Sequence, residues 1–257
     1  MAKQLIMEEK NKIKIISPFR NAGHYLEKCV SSILTQKYDN YQVIFINDCS
    51  DDGCEMYLPE ESDKIKIITN TTRKTALENI FNAIMYYTEP EDLIFILDAD
   101  DWLLNRNALK TIDEIFQTQN CLVSWGSCQW MGDEYNRNDF SSAYTKEEFE
   151  NLRKAPFKFS HARCFYSKVF KRIEEFDKNF SIFKDKNGEF YKSCYDAPMM
   201  YAISELAGFD RCYYNDIRIY AYNRENYLND DKINQALQTS IHEEVCKKPS
   251  FKKINFE

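Results

Sequence analysis

Short apolar runs alternate with helical stripes along the first hundred residues. Ile13-Lys14-Ile15-Ile16-Ser17 reads as a strand that Pro18 stops, because proline cannot donate to an interior ladder. From Tyr25 onward, Leu26, Cys29, Val30, Ile33 and Leu34 recur on one helical face, predicting an amphipathic helix that ends near Gln36. Tyr41 to Ile46 is a second strand, broken by the turn-forming cluster Asn47-Asp48-Cys49-Ser50-Asp51-Asp52-Gly53. Ile65 to Thr69 makes a third, and Thr75 to Tyr87 carries Leu77, Ile80, Phe81, Ile84 and Met85 at helical spacing. The fourth, Leu93-Ile94-Phe95-Ile96-Leu97, is apolar without a break and bounded by charge, the pattern of a strand buried on both faces. This alternation predicts an α/β fold with a parallel sheet, right-handed crossovers and helices on both faces.

The second half alternates less cleanly. Leu122 to Gly126 is strand-like, and a helix starts at Thr145, with Glu148 placed to complete a capping box. Residues 163–170 fit a strand or a helix. Ala197 to Ala207 is helical in spacing and stops at Gly208, and Ile217 to Tyr222 has strand character. There is no repeat and no low-complexity linker. A single domain is expected, with 12–120 forming one half, 121–230 a second and 231–257 a tail. The basic stretch from Cys246 to Lys253 reads as a frayed end, with contact to an acidic surface as the other use.

Composition narrows the classes. The 257 residues are 44% hydrophobic, which excludes a disordered chain, and the net charge of −7 excludes a general nucleic-acid binder. No apolar run approaches the roughly 20 residues needed to span a bilayer, so no integral membrane segment is expected. Acids in Met1 to Lys10, where a signal peptide needs an apolar core, make the cytoplasm the default expectation. Nine cysteines without a CxxC pair read as free, mostly buried thiols.

Candidate chemistry sits at the strand ends. The fourth strand runs into Asp98-Ala99-Asp100-Asp101, at the sheet edge where open α/β folds bind ligands. Strand alternation would turn Asp98 and Asp100 to one side, and two convergent carboxylates suit a hard divalent cation that also holds phosphates. The alternative is a solvated turn capping the next helix.

Taken together, Pro18-Phe19-Arg20-Asn21, Ile44-Phe45-Ile46-Asn47-Asp48-Cys49-Ser50-Asp51-Asp52-Gly53 and Phe95-Ile96-Leu97-Asp98-Ala99-Asp100-Asp101 resemble the GT-A type glycosyltransferases of family 2. The likeness covers residues 12 to 130 well and the rest loosely. It implies a GT-A, Rossmann-like, mixed but mainly parallel sheet. It further implies a UDP-sugar donor, Mn²⁺ or Mg²⁺, and inverting transfer of a hexose to a hydroxyl of a glycan, protein or small molecule. On this resemblance Asp48 would accept the N3–H of uracil, and Pro18, Phe19, Arg20 and Asn21 would line the base and ribose. Asp98, with Ala99 beside it, would hold the ribose and the metal. Asp100 would be the principal metal ligand, with Asp101 a helix cap in preference to a ligand. Arg73 or Lys74 would touch phosphate. Tyr195-Asp196 resembles the family's acidic pair, making Asp196 the candidate base, although Tyr195 replaces an acid and Asp196 also suits a helix cap. The histidine common near the carboxyl end of relatives is missing from Tyr222-Asn223-Arg224-Glu225-Asn226, and Asn226 or water would fill its place. His161, in a His-x-Arg segment, is open between a ligand contact and a packing role. The aromatics from Trp125 to Tyr166, Tyr135 among them, read mostly as core, with an acceptor groove as the other use. A nucleotidyltransferase or an inactive sugar-nucleotide-binding or glycan-binding module are the competing readings.

Overall fold

Why the chain folds as it does is clearest at its centre, where β1 (Ile13–Phe19) lies between two parallel partners. The computed structural model describes residues 10–132 and 141–256. After β1 come α1 (Tyr25–Leu34), β2 (Tyr41–Asn47), β3 (Ile65–Thr69), α2 (Ala76–Tyr87), β4 (Leu93–Ile96), β5 (Trp102–Leu103) and α3 (Ala108–Thr118). The second half adds β6 (Val123–Met131), α4 (Lys146–Glu150), β7 (Arg163–Tyr166), α5 (Ser167–Lys171), α6 (Asp196–Ala207), β8 (Cys212–Asn223), α7 (Asp230–Ile233) and α8 (Gln235–Lys247). Tyr135 and Met1 to Glu9 lie outside the described residues.

One eight-stranded sheet runs in the order β3-β2-β1-β4-β7-β6-β8-β5. Its first four strands are parallel, as the early alternation predicts. Beyond β4 the direction changes: β7 is antiparallel to both β4 and β6, β8 is parallel to β6, and β5 closes the edge antiparallel. The sheet is therefore mixed, and the expectation of a mainly parallel sheet is corrected. Helices still separate most strands after β4, but β7 inserts between β4 and β6 and runs against both, which breaks the parallel order.

Both faces are covered. Ile16, Ile44, Ile46, Ile94 and Ile96 pack toward α2, α5 and α6, whereas Ile15, Val43, Phe45, Leu93 and Phe95 pack toward α1 and α3. Burial on both sides explains why β4 is a continuous apolar run and why β1 and β2 are mostly apolar. Thr75 caps α2 by accepting the Glu78 amide at 3.1 Å, and the Thr145 and Glu148 capping box forms at α4. Residues 163–170 resolve as strand followed directly by helix. No helix among the described residues is long and apolar enough to cross a membrane.

The tail is held and not frayed. Arg153, buried, grips Glu205 of α6 through Nε at 2.6 Å and Nη2 at 2.7 Å, and its Nη1 donates to the carbonyls of Val245 and Lys248. Glu205 also accepts the Phe251 amide at 2.8 Å, and Ile254 donates to the Leu206 carbonyl. Removing one partner of such a buried pair strands a charge. Arg153→Ala is expected to lower unfolding free energy by about 3–5 kcal/mol, measured by urea denaturation. A loss below about 1 kcal/mol would place the pair among solvent-screened bridges.

Candidate active site

The loops after β1 and β2 are sewn together before any ligand is considered. Asn21 sits at φ +51°, a left-handed conformation that asparagine tolerates, and exchanges two hydrogen bonds with Asp51. Its amide donates to Ser50 Oγ at 3.1 Å, the Gly23 amide donates to Asp52, and Arg20 Nη1 reaches the Cys49 carbonyl. Asp48 is buried at the end of β2, and its amide donates to the Phe19 carbonyl at 2.8 Å. Its Oδ1 accepts from Asn70 Nδ2 and from the Lys74 amide, each at 2.8 Å. These bonds fix the carboxylate toward a cavity of about 700 Å³ lined also by Pro18, Phe19, Arg20, Arg73 and Lys74.

The acids after β4 leave the strand earlier than expected. β4 stops at Ile96, so Asp98 to Asp101 occupy a turn, closed by the Asp101 amide donating to the Asp98 carbonyl at 3.0 Å. Strand alternation therefore does not orient them. Asp101 is fully buried and does not cap a helix, since α3 begins only at Ala108. It is a clamp to β8, accepting from Tyr220 Oη at 2.6 Å and from the Asn223 amide at 2.7 Å. Burial, with Asp100 and Asp98 alongside, pushes its carboxyl well above the usual range despite those bonds. Asp100 accepts from Asn226 Nδ2 at 2.7 Å, and its carbonyl accepts from Asn223 Nδ2.

Asp98 receives the Tyr195 hydroxyl between its two oxygens, at 2.9 and 2.8 Å, with His161 Nε2 3.5 Å away. Burial raises its pKa, but His161, Arg163 and Tyr195 outweigh this and hold it below the ordinary carboxylate value. His161 is stacked on Tyr220 and Tyr222, and its Nδ1 is buried without a partner among the described residues. Burial, then the Arg163 charge, push the imidazole below its usual value, favouring the neutral ring.

Asp196 opens α6 as its first residue, while Tyr195 occupies the cap position, so the capping expectation for Asp196 is displaced by one residue. Its Oδ2 pairs with Arg163 Nη2 at 2.9 Å and its Oδ1 faces the Ala197 amide at 3.0 Å. Arg163 is buried and also donates to the Phe159 carbonyl and to Tyr195 Oη.

A cavity of about 330 Å³ is lined by Asp98, Ala99, Asp100, Asp101, His161, Arg163, Tyr195, Asp196 and Asn226. Pro18, Phe19, Arg20, Ala76 and Asp230 line both this cavity and the wider one, which makes the two halves of one cleft. Sequence reasoning brought Asp48, Asp98, Asp100 and Asp196 to this cleft but missed Arg163 as a pivot and Tyr220 and Asn223 as the clamp on Asp101. The only signal for Arg163 was its place two residues after His161. Whether a divalent cation suits this site is a question of donors. Oxygens of Asp98 and Asp101 and a ring nitrogen of His161 lie within 4.8 Å of one another, and Asp100 faces the same cavity. That oxygen-rich set fits a hard cation.

Comparison with known proteins gives the same direction. Over 96 residues the chain is 34% identical to UDP-Glc:alpha-D-GlcNAc-diphosphoundecaprenol beta-1,3-glucosyltransferase WfgD of Escherichia coli, covering 37% of each protein. Over 105 residues it is 30% identical to the putative glycosyltransferase EpsE of Bacillus subtilis, covering 39% of this chain and 37% of that one. The matches thus span little more than a third of these relatives. Staphylococcus aureus TarS 1-349 in complex with UDP-GlcNAc shares the fold with a TM-score of 0.61 at 14% identity, covering 84% of this chain and 59% of that one. Mannosyltransferase PcManGT from Pyrobaculum calidifontis, in complex with GDP-Man and Mn²⁺, gives 0.60 at 14% identity, covering 95% and 66%. The model of glycosyl transferase family 2 matches residues 14–174, which take in β1, the loops after β1 and β2, the Asp98 turn and Arg163, and the chain belongs to that family.

Proposed function

We propose that this chain transfers a hexose from a UDP-sugar to a hydroxyl acceptor on a glycan, protein or small molecule, with inversion at the anomeric carbon. The observation that carries the reading is the single cleft in which Asp48 faces one half while Asp98, Asp100 and Asp196 face the other. Residues 12–120 would form the nucleotide side and 121–230 the acceptor side. Asp48, with Oδ1 satisfied internally, offers its other oxygen to a base-edge N–H. Pro18 and Phe19 would flank the base, while Arg20, Arg73 and Lys74 bring positive charge to the diphosphate. Asn21 supports these contacts by holding the loop and contributes no obvious contact of its own.

Asp100 and Asp98 would hold Mn²⁺ or Mg²⁺, which supplies charge to stabilise the departing nucleotide. Asp196 would take the acceptor proton. A nucleotidyltransferase would want a glycine-rich phosphate loop after β1, where this chain has a loop knotted to Asp51. An inactive module would have no use for a paired carboxylate at Asp196. One further observation bears on the acceptor. Tyr227, Leu228, Ile233 and Leu237 are exposed, and Leu228 lines the cleft, which favours an acceptor with an apolar portion. The E. coli relative, by its name, acts on a diphosphoundecaprenol-linked sugar.

A melting-temperature panel of UDP-, GDP- and dTDP-sugars with and without Mn²⁺ tests the reading. UDP-sugars with Mn²⁺, at about one hundred times their dissociation constant, are expected to raise the midpoint by roughly 5–10 °C. Indifference to every nucleotide would reject it.

A further inference from the structure

Tyr195 stands where the family pattern expects an acid, and its hydroxyl both donates and accepts. Its one proton is shared between both oxygens of Asp98, at 2.9 and 2.8 Å, and its lone pair accepts from Arg163 Nη1 at 3.2 Å. Arg163 in turn places Nη2 2.9 Å from Asp196 Oδ2 and anchors Nε on the Phe159 carbonyl. An unbroken chain of contacts therefore runs from the turn after β4, through the residue before α6, to β7 and back to the first residue of α6. We propose that Tyr195 is a positioning residue that ties the carboxylate on the donor side, Asp98, to the base candidate, Asp196, through Arg163. The assignment rests on the glycosyltransferase reading given above.

The residue type follows from the neighbours. An acid at position 195 pointing at Asp98 would put two negative charges in contact, whereas a neutral hydroxyl donates to Asp98 and still accepts from Arg163. A phenol carries its proton at neutral pH, so the hydroxyl can donate to Asp98 at the distances seen. The guanidinium suits the other end of the link, because its planar fork serves Tyr195, Asp196 and Phe159 at once, which a lysine ammonium cannot do with the same geometry. The guanidinium carbon also lies over the Tyr195 ring, 5.6 Å from its centroid, a cation-π contact that adds a second reason for the two side chains to move together.

The link makes a distinctive signature. Asp98→Asn should weaken binding of UDP with Mn²⁺, and Asp196→Asn should lower turnover alone. Tyr195→Phe removes only the hydroxyl and should do both: about 3–10-fold weaker UDP affinity in the presence of Mn²⁺ by calorimetry, and about 10-fold lower kcat at saturating donor. Arg163→Lys provides a second variant should the first fold poorly. It should also lower both quantities, because the ammonium cannot hold Tyr195 and Asp196 together. A loss in Tyr195→Phe confined to affinity, a loss confined to kcat, or no loss beside an altered melting temperature would each overturn the proposal. Failure of the unmodified protein to bind UDP with Mn²⁺ would instead reject the underlying function, so the two failures are distinguishable.

Discussion

Asp100→Ala is expected to erase the Mn²⁺-dependent part of UDP stabilisation and to lower transfer by about 10³-fold, the equivalent of about 4 kcal/mol of leaving-group stabilisation. The carboxylate faces the cleft and is aimed by Asn226, whose amide reaches Oδ2 at 2.7 Å, while Asn223 holds the backbone carbonyl of the same residue. Removing it takes one negative charge from a turn that also carries Asp98 and Asp101. The fold should tolerate the loss, because like-charge repulsion in the turn falls as well. Calorimetric titration of Mn²⁺ and UDP, alone and together, checks the expectation. Undiminished Mn²⁺-dependent UDP binding would remove Asp100 from the metal site.

Asp196→Asn is expected to leave UDP affinity in Mn²⁺ within about two-fold while turnover falls by about 10²–10⁴-fold, the range for loss of a general base. The side chain keeps its shape and can still accept from Arg163 Nη2, but it no longer takes a proton. Arg163 is buried and would lose its charged partner, so a lower melting temperature should accompany the change. Kinetics at saturating donor separate the two effects, since a destabilised but folded enzyme keeps its turnover. Unchanged kcat would require another base in the cleft.

How far the chain can be read without its structure depends on which interactions decide each segment. β1, β2 and β4 are buried on both faces, and that demand writes itself into consecutive apolar residues. α2 was equally plain, because Thr75 caps it and its buried face recurs at helical spacing. The acids at strand ends were legible for the same reason, as a sheet buried on both sides can place ionised groups only at its edges. Past β4 the information becomes relational. Residues 163–170 pass from strand to helix without a glycine or proline between them, so no local signal marks the junction. The pairing of β6 with β8 joins residues about ninety apart and is set by neither strand alone. α3 carries a usable stripe, Leu109, Ile112, Ile115 and Phe116, yet it follows an acidic turn and a two-residue strand that hide its beginning.

The candidate site divides along the same line. Asp48 and Asp100 are recognisable because each follows closely on an apolar strand, whereas the work of Asp101 depends on Tyr220 and Asn223, more than one hundred positions later. Its adjacency to Asp100 suggested a cap or a ligand, and only tertiary burial made it a clamp. The tail was misjudged for a similar reason. A basic, polar end looks solvated until a buried carboxylate, Glu205, accepts the Phe251 amide.

The position of β4 carries a consequence for how this scaffold can vary. One edge of the strand is bonded to β1, whose loop lines both cavities, and the other to β7, which carries Arg163 and follows His161 by two residues. It is the seam between a parallel and an antiparallel half, and few backbone bonds cross it besides its own. On the function proposed above, a new acceptor would be met by remodelling the later strands and their loops piecemeal, with the loops after β1 and β2 left as they are. Four apolar residues in the middle share with the Asp101 clamp on β8 the burden of keeping the two inventories in register.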